Sequence, residues 1–207
     1  AGHAFHAFAA RRLPLIWQRH PGSEAAELAS MSMELLATPH LTQPAGYFTA
    51  QDARSAWLEH LEDILLSLVH IASVDAFQTW IYTSGQGDNA DARDAAWLRI
   101  RSRFERGVDW SGLQQERVAR WHRQLHIFMY PFYYIEYGIA QLGALQVWLN
   151  SKRDKADALQ NYQRALALGG SRPLPQLFAA AGCRFAFDQQ TVKPLVELVR
   201  TELTKLN

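Results

Sequence analysis

Leu58-Glu-His-Leu-Glu-Asp-Ile-Leu-Leu-Ser-Leu-Val-His-Ile71 decides the fold class. Leu58, Leu61, Ile64, Leu65, Leu68 and Ile71 recur at intervals of three and four, the spacing of one buried helix face. The pattern runs from an early-helix Asp52 to about Tyr82, and Ser84-Gly-Gln-Gly-Asp-Asn89 ends it by turn chemistry. The same period continues downstream. Ala92 to Arg106 reads as a helix, with Trp97, Ile100 and Phe104 at helical spacing and Arg93, Asp94, Arg101, Arg103 and Glu105 on its outer face. Gly107 and Ser111-Gly112 punctuate it, and Leu113 to about Leu125 forms the next helix. Pro131 suits a first turn, so a helix is expected from there to about Leu149. Asp154 to Leu168 stops at Gly169-Gly170, and the turn Arg172-Pro-Leu-Pro175 leads to a short helix from Leu177 to Ala181. The last helix is expected from about Val192 to Leu206. Strand patterns are nearly absent, Arg184 to Phe187 being the one β-like scrap. The reading is an all-α domain over residues 1–207, with roughly eight helices and no internal linker.

Composition narrows the functional classes. Of 207 residues, 48% are hydrophobic and 12% aromatic, well above the range of disordered chains. Lys and Arg total 21 against 20 Asp and Glu, a net charge of +1 that gives no electrostatic case for nucleic acid or an anionic membrane. The lone Cys183 excludes an internal disulfide and suits a reducing, cytoplasmic location. Ile127 to Leu149 carries one charge, Glu136, and is long enough to span a bilayer. Pro131, Gln141, Gln146 and four tyrosines make a polar stripe that suits a protein cavity instead of lipid, so no membrane span is expected. The opening Ala1-Gly-His-Ala-Phe-His6 contains no signal peptide pattern and reads like the inside of an element.

Three clusters carry chemistry. His3 and His6 are three apart, neighbours on a helix face, and such a pair is more often inert than metal-binding. In Ser23 to Leu36, Glu27, Ser30 and Glu34 share a face at i, i+3 and i+7, beside an apolar stripe of Leu28, Met31 and Leu35. This is either an amphipathic helix with a solvated carboxylate face or a set of carboxylates held by a metal ion or a histidine, since no Lys or Arg is near. The third cluster is His126, Tyr130, Tyr133, Tyr134, Glu136 and Tyr137. On a helix from Pro131, Tyr134 and Tyr137 share a face. They are then either aromatic core or phenol donors for a developing oxyanion.

Together the three clusters resemble the zinc metallopeptidases of the oligoendopeptidase F and thimet oligopeptidase type. That family carries a helix H-E-x-G-H and, further on, a third ligand Glu within E-x-x-S-x-x-x-E. Gly2-His3 is similar to the end of the first motif. Glu27-Leu-Ala-Ser30-Met-Ser-Met-Glu34, 24 residues after His3, is similar to the second. His126 and Pro131-Phe-Tyr-Tyr-Ile-Glu-Tyr137-Gly-Ile-Ala-Gln-Leu-Gly look like the family's tyrosine-rich segment lining the cleft. Asp75-Ala-Phe-Gln-Thr-Trp-Ile-Tyr82 and Leu166-Ala-Leu-Gly-Gly-Ser-Arg-Pro-Leu-Pro175 look like its bacterial branch, so the resemblance covers essentially the whole chain.

The resemblance implies a zincin-type catalytic-domain fragment, the C-terminal part, in which His3 and Glu27 bind zinc, with Ser30 and Glu34 behind them. His126, Tyr130, Tyr134 and Tyr137 would stabilise the oxyanion. It implies short peptides as substrates. The family's first zinc His and catalytic Glu would lie just before Ala1 and are not in this sequence. The expectation is therefore that these residues alone are inactive and bind zinc weakly or not at all. The missing N-terminal part would be a partner, and its absence would leave an apolar face open to self-association. The competing reading is a helical interaction module or remnant without catalysis. His20, His40, His60, His70 and His122 are expected on the surface or half-buried, Trp80 and Trp148 near the cleft, and Cys183 as a small buried side chain. Asp75 is expected to contact substrate or to cap a neighbouring helix.

Overall fold

The computed structural model describes residues 1–105 and 107–206. Among them are ten α-helices: α1 Gly2–Ala10, α2 Ser23–Ala37, α3 Ala50–Thr83, α4 Ala90–Arg101, α5 Gln114–Ala119, α6 Leu125–Met129, α7 Ile135–Arg153, α8 Lys155–Ala167, α9 Leu174–Ala180 and α10 Gln189–Leu206. No strand occurs among the described residues. Thr42 and Phe48 form an isolated bridge, and Arg184 to Phe187 is unpaired coil. The fold is all-α, with ten helices where about eight are expected by periodicity.

Several boundaries follow from caps that the sequence carries. Thr49 accepts from the Asp52 amide and donates 2.7 Å to the Asp52 carboxylate, which starts α3. Asn89 accepts from Ala92 N at 3.1 Å and starts α4, so the Ser84–Asn89 loop is where turn chemistry puts it. Asp154 caps α8 through Asp157 N, and Gly169, at φ 50°, lies just beyond its C-cap Leu168. Asp188 accepts from Thr191 N at 2.9 Å, so α10 begins at Gln189, ahead of the expected Val192. The helix expected to run from Ala92 to Arg106 ends at Arg101, with residues 102–104 in a turn, and Arg106 itself lies outside the described residues.

Two expected helices are corrected. Leu113–Leu125 is broken: α5 passes into a 3-10 turn at Arg120–Arg123, and α6 restarts after Gln124. The helix expected from Pro131 starts at Ile135, because Phe132 adopts φ 62° in the intervening turn. Left-handed backbone is costly for a bulky residue and ends a helix. Ile127–Leu149 is therefore not one helix, and its reading as a potential span falls away. By length and composition α3 is long and apolar enough to cross a membrane, with mean hydropathy 1.5 over its most apolar stretch. A third of that stretch is buried inside the protein, including Ile71, Val74 and Phe77.

The chain divides into two compact units, Ala1–Leu65 with Ile139–Asn207, and Leu66–Gly138. In the first, Leu28 and Ala29 of α2 pack with Val147 of α7, Tyr162 and Leu166 of α8 and Phe178 of α9. Each such large apolar side chain contributes about 1.5–3 kcal/mol on burial. Gly143 permits the α7 crossing: a Cβ there would lie 2.4 Å from Leu28 Cδ1 and 2.7 Å from Phe178 Cε1. Tyr162 Oη donates 2.6 Å to the Ala29 carbonyl and ties α8 to α2. In the second unit, Phe77 of α3 meets Trp97 and Trp121 edge-on at 5.4 and 5.3 Å. The Trp121 indole donates 2.9 Å to Asp94. Each unit thus has a core of its own, and each carries part of the residues singled out above.

Candidate active site

In the first unit the close approach of α1 to α2 places the first set. A Cβ on Gly2 would lie 2.2 Å from Ser30 Cα, 2.8 Å from Ser30 N and 2.9 Å from the Ala29 carbonyl, so only glycine lets the two backbones touch there. The adjacent His3 then stands over α2, with Nε2 3.6 Å from Glu27 Oε2. Ser30 Oγ donates 3.2 Å to that same carboxylate oxygen and 3.2 Å to the Glu27 carbonyl. His3 is 56% exposed and Glu27 22%, so the pair is reachable from solvent. Glu34 sits further along the same face. It is exposed and pairs at 4.0 Å with His60 Nε2 of α3, not with Glu27.

His6 separates from His3. It is 4% exposed, and burial together with the neighbouring His3 lowers its pKa. Its Nε2 is buried without a hydrogen-bond partner. The two histidines are thus not a metal pair: one faces solvent beside Glu27, the other faces the core.

The His3–Glu27 geometry fits a metal ion. Two ligands of a tetrahedral zinc, each about 2.1 Å from it, stand about 3.4 Å apart, close to the observed 3.6 Å. The Ser30 hydrogen bond restrains the carboxylate, as supporting groups commonly do around metal ligands. Among the described residues no group of three His, Cys, Asp or Glu is placed to hold a metal, so this set comprises two protein donors.

In the second unit α6 and the turn after it gather the aromatic set. His126 has Tyr134 at 4.9 Å, Tyr133 at 5.9 Å, Tyr137 at 6.1 Å and Tyr130 at 6.3 Å between ring centroids. Tyr134 and Tyr137 meet at 5.7 Å, although Tyr134 lies in the turn before α7 and not on a shared helix face. The turn at Phe132, whose ring packs 5.3 Å from Tyr82, brings them together instead. Burial pushes the Tyr134 phenol up, with a hydrogen bond to Gln124 acting against it. Gln124 also contacts His126 and His70. The His70 pKa is lowered by burial and by Arg101, Arg120 and Arg123, against a raising hydrogen bond that His70 donates to the Gln124 amide oxygen. Asp75, half-buried on α3, has its carboxyl raised by burial alone.

A model of peptidase family M3 matches residues 1–196. The chain belongs to peptidase family M3. Solved structures agree with this membership. A crystal structure described as an oligoendopeptidase F is 33% identical over 98% of this chain, with a TM-score of 0.83, and the match takes in 35% of that protein. A PZ peptidase A with an inhibitor is 32% identical over 99% of this chain, with a TM-score of 0.86 and 36% of that protein covered. A crystal structure described as an oligoendopeptidase F from Bacillus anthracis str. Ames is 27% identical over 99% of this chain, with a TM-score of 0.74 and 32% of that protein covered. The M3 chain thus spans about a third of the length of the solved structures it matches. No curated protein sequence matches it.

Within the M3 chain the structure adds three residues to those the sequence singled out. His60 stands beside Glu34, and His70 and Gln124 stand beside His126. The two histidines were expected to be unremarkable surface or half-buried residues. Only the short spacing Gln124-Leu-His126 hints at the second group, and nothing in the period of α3 marks His60 or His70.

Proposed function

We propose that residues 1–207 form the C-terminal catalytic-domain portion of a zinc-dependent endopeptidase acting on short peptides. His3 and Glu27 would be two of its metal ligands. The observation that carries the reading is the His3–Glu27 pair, 3.6 Å apart and braced by Ser30, in a chain that belongs to peptidase family M3. Bound zinc would supply Lewis acidity toward the scissile carbonyl and a lowered pKa for an attacking water.

The chain's own residues then have distinct tasks. His3 and Glu27 hold the metal. Ser30 keeps the Glu27 carboxylate in one rotamer by its hydrogen bond. Glu34 takes a supporting role through its contact with His60. His126, Tyr130, Tyr134 and Tyr137 offer N–H and O–H donors to the substrate carbonyl oxygen as negative charge develops on it, each such donor being worth about 10²–10³ in rate. The further ligand and the carboxylate general base are proposed to come from outside residues 1–207. The isolated residues are proposed to bind zinc weakly and to be inactive. Their natural partner would be the rest of the peptidase, in the cytoplasm. Exposed Phe8, Leu15, Ile16 and Trp17 give the isolated chain a means of self-association.

The test is cleavage of a quenched fluorescent peptide by the peptidase that contains these residues. Cleavage that a chelator abolishes and zinc restores, and that His3→Ala and Glu27→Ala each eliminate, supports the reading. Chelator-resistant cleavage overturns the zinc-dependent reading, and no cleavage in any form favours the interaction module.

A further inference from the structure

Gln124 holds two imidazoles at once. Its Nε2 lies 2.8 Å from His126 Nδ1, and its Oε1 lies 3.0 Å from His70 Nε2. An amide nitrogen only donates, so His126 Nδ1 accepts; an amide oxygen only accepts, so His70 Nε2 carries a proton. In a neutral imidazole one nitrogen donates and the other accepts. We propose that Gln124 is a positioning residue that locks His126 with its proton on Nε2, the nitrogen directed away from Gln124. The inference rests on the reading of His126 as a hydrogen-bond donor to substrate.

The opposite amide orientation would invert everything. Oε1 would then accept a hydrogen bond from His126 Nδ1–H, leaving a lone pair on Nε2 that would repel a developing oxyanion. The surroundings select between the two. Arg101, Arg120 and Arg123 line one cavity of about 220 Å³ together with His70 and Gln124. Arg101 and Arg120 are fixed there by the buried Glu105 carboxylate, at 3.1 and 3.6 Å. A field of guanidiniums on that side favours the oxygen end of the amide dipole facing His70, with the NH2 end facing His126. Tyr134 shares the same amide, so one side chain orders two of the proposed donors. The nitrogen that carries the proton on one face of a histidine is set by the bond made on the other, and here that bond comes from a neutral amide in place of a carboxylate.

The test is nitrogen NMR of residues 1–207 labelled at the histidine rings, at a pH where imidazole is neutral. The His126 signals are assigned by their loss in His126→Gln. The expected result is a pyridine-type Nδ1 and a pyrrole-type Nε2. In Gln124→Glu the carboxylate only accepts, so Nδ1 becomes pyrrole-type. In Gln124→Met, the second variant should Glu not fold, Nδ1 moves to a position averaged over both tautomers. A pyrrole-type Nδ1 in the unaltered chain, or an Nδ1 unchanged by either substitution, overturns the proposal. In the complete peptidase Gln124→Glu is expected to lower kcat about 100-fold with KM within about twofold. If His126→Gln leaves kcat unchanged, the donor role of His126 fails, while the NMR result still decides the lock.

Discussion

Gly2→Ala tests the way His3 and Glu27, the two proposed metal ligands, are brought together. Helix propensity alone favours alanine over glycine. The packing opposes it. The new Cβ would lie 2.2 Å from Ser30 Cα, where ordinary contact begins near 3.4 Å, so α1 must recede from α2 by about 1.2 Å. The obstructing atoms are backbone and cannot rotate aside. His3 follows Gly2 directly, so its imidazole is carried away from Glu27, from the present 3.6 Å to a separation that one ion cannot bridge. Metal–ligand distances tolerate only about 0.2 Å. Losing one ligand should weaken zinc binding at least about 100-fold, or about 2.7 kcal/mol. Overpacking should cost a further ~1–3 kcal/mol of folding stability. The assay is zinc affinity of the peptidase by chelator competition, with thermal unfolding of the metal-free protein alongside. Zinc affinity within twofold of the unaltered protein, or a raised unfolding temperature, would refute the reasoning.

Three further outcomes are expected. Tyr162→Phe removes the bond to the Ala29 carbonyl between α8 and α2, and should cost about 1 kcal/mol, or about 2–4 °C in Tm, by thermal unfolding. Glu105→Gln leaves Arg101, Arg117 and Arg120 without their shared carboxylate, whose side chain is 5% exposed; denaturant unfolding should show a loss of about 2–4 kcal/mol, the upper range being tempered by the partial exposure of Arg117 and Arg120. Burial pushes the Cys183 thiol up from 9.0 to about 12, so the folded protein keeps it protonated where the unfolded chain ionises. Its contribution is full below about pH 9 and is lost as pH rises toward 12; native protein should not react with a thiol reagent, and Cys183→Ala should flatten the alkaline fall in stability.

How much could be read beforehand differs between the two units. In the first, the Glu27-Leu-Ala-Ser30 spacing and the interval from His3 lead to the right neighbours, because a helix fixes which side chains share a face. The need for Gly2 is legible only once α2 is seen beneath it, since its cause is a backbone 27 or 28 residues away. In the second unit the tyrosines do gather on His126, but not by the helix spacing first expected. The left-handed Phe132 does that work, and no propensity assigns such a conformation to phenylalanine. His70 and Gln124 are 54 residues apart, and their meeting depends on tertiary packing that periodicity does not encode. The helix at Leu113–Leu125 fails for a similar reason. Trp121 turns inward to meet Phe77, and its 3-10 turn interrupts what local preference would continue.

The most direct measurement is the anomalous scattering of zinc in crystals of the peptidase that contains these residues. The account predicts a single strong peak within about 2.1 Å of both His3 Nε2 and Glu27 Oε2. A zinc peak elsewhere, with His3 and Glu27 contacting only each other, would contradict it.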